Sequence, residues 1–99
     1  IRMNPEAEGT INGAWMPTVV FDDSADVSVA HLRQAFMEEN IDARVFFHPL
    51  STLPVFDDAP QNAVARHLAN NAINLPSFHD ISQEQQLRVI EVVRKFTND

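Results

Sequence analysis

Four histidines, five serines and one lysine are the ligands and nucleophiles this chain offers, and three adjacent carboxylate pairs add candidate acids and bases. Metal-binding histidines on a helix sit four residues apart or in a recognisable cluster. His31, His48, His67 and His79 do neither, and His31 and His67 read as surface residues of two different helices. Asp22-Asp23, Glu38-Glu39 and Asp57-Asp58 could do acid–base work only if burial drove the two groups of a pair apart in pKa. Neighbours in a turn or at a helix end do not converge, so solvated acids are the better reading. Ser24, Ser28, Ser51, Ser77 and Ser82 lack a G-x-S-x-G elbow. Gly9 and Gly13 are the only glycines, which leaves no Gly-rich phosphate loop. A Schiff-base lysine must be buried against a cofactor. Lys95 falls near the end of the last predicted helix, where a cation suits the dipole. We expect no catalytic residue and no metal ligand in this chain.

The stretch that remains is ARVFFHPLSTLPVF, residues 43–56. A short apolar strand runs directly into His-Pro, and two more prolines follow, at Pro54 and Pro60. The residues alone allow two readings. One is a core strand whose phenylalanines pack and whose Arg44 is solvated. The other is a stiff, preformed rim that presents Arg44 and His48 to an anionic or hydroxyl-rich ligand.

The elements that position this stretch follow from patterning. WMPTVVF (15–21) is β-branched and aromatic and predicts a strand, with Pro17 at its start or on an edge. DDSAD (22–26) predicts a turn. Ser28 is an N-cap for a helix whose stripe is Val29, Leu32, Ala35 and Phe36. Asn40 can end that helix in the left-handed conformation, and Ile41 then returns to the core. Ala43–Phe47 is the second strand, and 48–61 a long loop. Asn62 is placed as the cap of a short helix with Val64 and Leu68 inward, stopped by Asn70-Asn71. Residues 72–75 form a short strand ended by Pro76. Ser82 and Gln85 make a capping box for the last helix, with Leu87, Ile90, Val93 and Phe96 as its stripe. This order predicts an α+β fold: a small two-layer domain, a short, mostly antiparallel sheet with helices packed on it. Residues 1–13 read as a loose lead-in or linker, and 14–99 as one domain.

Ninety-nine residues of 44% hydrophobic composition allow one core. The net charge of −7, with one lysine and six scattered arginines, argues against nucleic-acid or anionic-membrane binding. No apolar run is long enough to span a bilayer, and no apolar stretch after Arg2 makes a signal peptide. The absence of cysteine removes disulfides, thiolate chemistry and Cys-type zinc sites, and fits a cytoplasmic location. The chain starts at Ile1 rather than methionine, and we expect it to be cut from a longer protein.

IDARVFFHPLSTLPVF resembles the segment G-I-x-x-R-x-F-F-x-P-L-x-x-x-P-x-[FY] of the DegT/StrS family of pyridoxal-phosphate-dependent aminotransferases, which act on nucleotide-linked keto sugars. WMPTVVF resembles the W-x-Y-x-I-x-L strand that opens the family's C-terminal domain. HLRQAFMEENI resembles its L-x-x-x-L-x-x-x-G-I helix, and AVARHLANNAINLPSFHDISQEQQLRVIEVVRKF resembles its ending. The R-x-F-F-[YWH]-P-L form is similar to that of perosamine-synthase-like enzymes. The resemblance implies the small C-terminal domain of a fold-type I aminotransferase. Glutamate would be the amino donor, and surface glycans such as O-antigen the destination. The family's Schiff-base lysine, pyridine-pairing acid and phosphate cup lie in a large N-terminal domain and match nothing here. The resemblance therefore implies that the chain is inactive alone, and that pyridoxal phosphate and the nucleotide sugar bind only in a full-length homodimer. It implies that Arg44, Phe46, Phe47, His48, Pro49 and Leu50 wall the cleft against that large domain. Departures occur at Asn40, where Gly is usual, at Pro17, where Tyr is frequent, and at His48 and Ser51, where Tyr or Trp and His are frequent. A different class of function is also open: a free-standing interaction domain that docks through Phe46–Phe56.

Overall fold

In the computed structural model, which describes residues 1–97, the first helix ends on a backbone device the sequence announces. Helix α1 runs Val29–Glu38, and the Ser28 hydroxyl accepts from the His31 N–H at 3.3 Å. Asn40 is left-handed at φ 55°. The Asn40 N–H donates to the Met37 carbonyl at 3.0 Å, and the Ile41 N–H to that of Phe36 at 2.8 Å. These are the two bonds of a Schellman motif. It turns Ile41 into the core beside Phe36 and launches β2 (Arg44–Val45).

Strands β1 (Thr18–Val20), β2 and β3 (Ala72–Asn74) form one antiparallel sheet in the order β1-β3-β2. The last strand in sequence is thus the central one. Thr18, Asn74 and Arg44 align across it in one row, and Val19, Ile73 and Val45 in the next. Helices α1 and α3 (Gln83–Thr97) form the second layer, packing Leu32, Phe36, Val89, Val92 and Val93 with Val19, Phe21 and Ile73. This is the α+β, two-layer arrangement that the patterning predicts. The predicted strands 15–21 and 43–47 are shorter in the structure, at Thr18–Val20 and Arg44–Val45; Pro17, which lacks an N–H, stands immediately before the first.

Two predicted apolar faces are corrected. In α3, Leu87 is 57% exposed and Ile90 is exposed, whereas Val89 and Val92 are buried. Each i+3 step rotates by about −60° on a helix of 3.6 residues per turn, so Leu87, Ile90, Val93 and Phe96 spiral across half its circumference. Val89, Val92, Val93 and Phe96 instead share one face. In α2 (Ala63–Asn71) Val64 is exposed, Leu68 is half-buried, and no residue is fully buried. The Asn62 side chain makes no capping bond there. The capping box of α3 is complete: the Ser82 N–H donates to Gln85 Oε1 at 2.8 Å, and the Gln85 N–H to Ser82 Oγ at 3.1 Å.

Part of the polar lead-in is tied to the sheet. Arg2 pairs with Val20 through two backbone bonds of 2.9 and 2.8 Å, closing the outer edge of β1. Asn4 reaches the same strand, accepting from the Thr18 N–H at 2.8 Å and donating to the Met16 carbonyl at 2.9 Å.

Candidate functional site

The mouth of the sheet, beside the Thr18–Asn74–Arg44 row, opens into a cleft of about 670 Å3. That volume is in the range of small-molecule sites. Three chain segments far apart in sequence build it: residues 14–16, β2 with its flanks, and 74–79. Its rim carries Trp15, Phe47 and Phe78, which are 76%, 58% and 51% exposed. Aromatic rings this exposed gain nothing from the core, and an aromatic face is a stacking platform.

Two of the three rim segments are held by local hydrogen bonds. Trp15 follows Ala14, a non-glycine residue at φ 50°, a conformation that is uncommon for a residue with a Cβ. The turn is fixed by the Ala14 N–H donating to Asn12 Oδ1 at 2.8 Å, while the Asn12 N–H donates to Glu6 Oε2 at 2.7 Å. Asn4 then anchors Met16 and Thr18 on the other side of the tryptophan. Leu75 is fixed by its N–H donating to the Pro17 carbonyl at 2.8 Å, and Phe78 stands just before the His79–Asp80 turn, its carbonyl accepting from the Ile81 N–H at 3.3 Å.

Asn74 also lines the cleft and is only 4% exposed. Its Oδ1 accepts from the Thr18 hydroxyl at 2.8 Å. The same hydroxyl lies 3.3 Å from the Met16 carbonyl, and Asn74 Nδ2 makes one long contact, 3.5 Å to the Val45 carbonyl. Arg44 stands in the lining with its Nε and Nη2 3.4 and 3.2 Å from Asp42 Oδ2. Both side chains are mostly exposed, and such pairs contribute little stability. The guanidinium is therefore available to another anion. His79 completes the lining, with Asp80 3.9 Å away.

Of the residues expected to wall a cleft against a large domain, two also border this opening. Arg44 and Phe47 line the cleft; Phe46, His48, Pro49 and Leu50 do not. Phe46 is half-buried and meets Phe47 edge-on, with ring centroids 5.7 Å apart. His48 is exposed, Pro49 precedes a single 3-10 turn at Leu50–Thr52, and Leu50 is exposed. Trp15, Asn74, Phe78 and His79 were not singled out by the sequence reading as cleft residues. A lone tryptophan before Met-Pro, and a Phe-His after Leu-Pro-Ser, were the available signals.

Beyond the cleft the loop of 46–61 carries an apolar surface, with Leu53, Val55 and Phe56 exposed as well as Phe47 and Leu50. The Arg66–Asp58 ion pair ties this loop to α2. His67 is not a bare surface residue. Its Nδ1 lies 3.3 Å from Asp23 Oδ1, and Asn71 Nδ2 contacts both partners. Among the described residues no group of three or more His, Asp or Glu side chains is gathered as metal ligands.

The chain belongs to the DegT/DnrJ/EryC1/StrS aminotransferase family, whose model matches residues 1–94. It is 33% identical to EpsN of Bacillus subtilis (strain 168), assigned to the pyridoxal phosphate-dependent aminotransferases, over 94% of this chain and 25% of that protein. It is 26% identical to the GDP-perosamine synthase of Escherichia coli O157:H7 and 24% to that of Vibrio cholerae. These matches cover 100% and 99% of this chain, but 27% and 28% of the relatives. The chain thus spans about a quarter of the length of the relatives it matches.

Membership implies pyridoxal phosphate, and the residues present do not make a site for it. The group needs a buried, desolvated amine. Lys95, the only lysine, is exposed on α3, with its Nζ 3.8 Å from Glu39.

Proposed function

We propose that this chain is the small C-terminal domain of a pyridoxal-phosphate-dependent aminotransferase. The full-length protein moves an amino group, from glutamate, to a nucleotide-linked keto sugar destined for a surface glycan. The observation that carries the reading is the family match along nearly the whole chain, at a quarter of the relatives' length. Lys95 offers no catalytic amine, so the chain alone does not transaminate. Its contribution is binding and orientation, which is what a protein adds to cofactor chemistry. The exposed apolar residues between Phe47 and Phe56 fit burial against the large N-terminal domain of the same protein, within a homodimer. Arg44, Phe46, Phe47, His48, Pro49 and Leu50 form the wall facing that domain, with Arg44 and His48 supplying the cationic and hydrogen-bonding groups nearest the ligand.

The same exposed loop favours one other reading, a free-standing module that docks a protein partner through Phe46–Phe56. The test is made on the full-length protein. Arg44→Ala and His48→Ala should each lower kcat/KM for the nucleotide sugar by about tenfold, the loss expected for one charge-assisted contact of ~1.4 kcal/mol. Unchanged kcat/KM in both variants contradicts the assigned wall.

A further inference from the structure

We propose that Asn12-Gly13 is a self-modification site: in the folded chain Asn12 deamidates through a cyclic imide, and the isoaspartate product frees the turn that holds Trp15. Of the asparagines in the sequence, Asn12 alone is followed by glycine. The reaction needs the nitrogen of the following residue to reach the side-chain amide carbon, and a residue without a Cβ gives the backbone that freedom. At Asn4, Asn40 and Asn74 the following nitrogen is unavailable. Pro5 has no N–H. The Ile41 N–H donates to the Phe36 carbonyl at 2.8 Å, and the Leu75 N–H to the Pro17 carbonyl at 2.8 Å. The Gly13 N–H donates to no group among the described residues.

The surroundings of Asn12 assist the attack. Its Oδ1 accepts from the Ala14 N–H at 2.8 Å, which folds the side-chain amide back over the peptide unit that contains the Gly13 nitrogen. The same N–H points at the oxygen on which negative charge develops when the nitrogen adds, and a fixed donor there stabilises the tetrahedral intermediate. The segment is exposed, and beyond its chain neighbours no atom lies within 4 Å of the place a Cβ would take on Gly13. Water and a solvent base therefore reach the site. The base removes the Gly13 N–H proton, and the nitrogen bonds to Cγ of Asn12. The Cγ–Nδ2 bond breaks, and Nδ2 takes a proton from water and leaves as ammonia. Water then opens the imide. Addition at the side-chain carbonyl gives aspartate. Addition at the main-chain carbonyl gives isoaspartate, whose backbone runs through the former side chain. No oxidant or reductant takes part.

The two products act differently on the turn. Aspartate keeps an oxygen where Ala14 needs its acceptor, but adds a charge to a residue whose own N–H holds Glu6 Oε2 at 2.7 Å. Isoaspartate lengthens the main chain and makes the former side-chain carbonyl part of it. The side-chain acceptor that keeps Ala14 at φ 50° is lost, and the uncommon conformation has nothing left to hold it. Trp15, the next residue, loses its fixed position.

The 99-residue chain and the full-length protein are aged in mildly alkaline buffer, and tryptic peptide 3–33 is followed by mass spectrometry with fragmentation. The expected result is a mass gain located at residue 12, carried by two products, one of which co-elutes with the peptide of an Asn12→Asp variant. Gly13→Ala places its Cβ in open space, and a thermal melt verifies that the variant folds. It should slow conversion about tenfold or more, because a Cβ narrows the backbone range open to the attack. Trp15 is the only tryptophan of the 99-residue chain, which has no tyrosine, so its emission reports the turn. That emission should change in step with isoaspartate and stay near its starting value in freshly prepared Asn12→Asp. The chain unfolded in urea is the reference for the dipeptide without its fold. Conversion in urea with none in the folded chain overturns the site, and so does a folded Gly13→Ala variant that converts as fast as the parent. Trp15 emission that stays constant at full conversion overturns the release of the turn. Conversion in the 99-residue chain with none in the full-length protein overturns the site for the native protein.

Discussion

Asn40 offers the sharpest test of how the sequence aims the site. It sits at φ 55° between α1 and β2, and the strand it launches carries Arg44 toward the cleft. The left-handed helical conformation costs an L-residue with a full Cβ roughly 1–2 kcal/mol. Asparagine escapes part of that cost, and glycine escapes it all, although glycine gives back about 0.5–1 kcal/mol in unfolded-chain entropy. The expected stability order is therefore Gly at least equal to Asn, and Asn above Ala, with Asn40→Ala lying about 1 kcal/mol below Asn40→Gly. For a domain of this size that gap corresponds to about 4–8 °C in Tm. Urea unfolding followed by circular dichroism measures it, with equal slopes securing the comparison. The two bonds of the Schellman motif and the Phe36–Ile41 burial are common to all three proteins, so only backbone conformation differs. Alanine and glycine variants within 0.3 kcal/mol of each other, well inside the roughly 1 kcal/mol expected, would refute the reasoning.

Three further outcomes are expected. Ser82→Ala removes half of the reciprocal cap of α3 and should cost about 1 kcal/mol in urea unfolding. Leu87→Ser should be neutral to within about 0.5 kcal/mol in the isolated chain, whereas Val92→Ala should cost about 2 kcal/mol for two buried carbons plus the space they leave. Comparing the two melts checks which face of α3 meets the core. The loop surface should bind the dye ANS, and the double change Val55→Ser with Phe56→Ser should reduce that signal without moving the urea midpoint, since both side chains are exposed.

The elements set by local chemistry were legible in the sequence. Ser28, Asn40, Ser82 and Gln85 each act in the structure as their residue types predict. The apolar stripe of α1 is also correct, because Leu32 and Phe36 are one turn apart and share a face. What depends on tertiary pairing was not legible. Nothing local says that β3 lies between β1 and β2, and nothing says that Arg2 returns to Val20 across a polar segment. The stripe of α3 misled because it contains more apolar residues than one face needs, and i+3 spacing alone selects the wrong set. The site was legible in part for the same reason. Arg44 and Phe47 stand out within one short segment, whereas Trp15 and Phe78 join them only after the sheet forms. The family, by contrast, was legible from four short motifs in order, and the match over residues 1–94 agrees with it.

The central claim is that this chain completes an aminotransferase built mostly from polypeptide outside it. The direct measurement is the visible absorption spectrum of the full-length protein purified with pyridoxal phosphate, before and after glutamate, with the 99-residue chain as control. The account predicts a protein-bound cofactor band in the full-length protein that glutamate abolishes, and no such band with the chain alone. A full-length protein without that band, or with one that glutamate leaves unchanged, would contradict it.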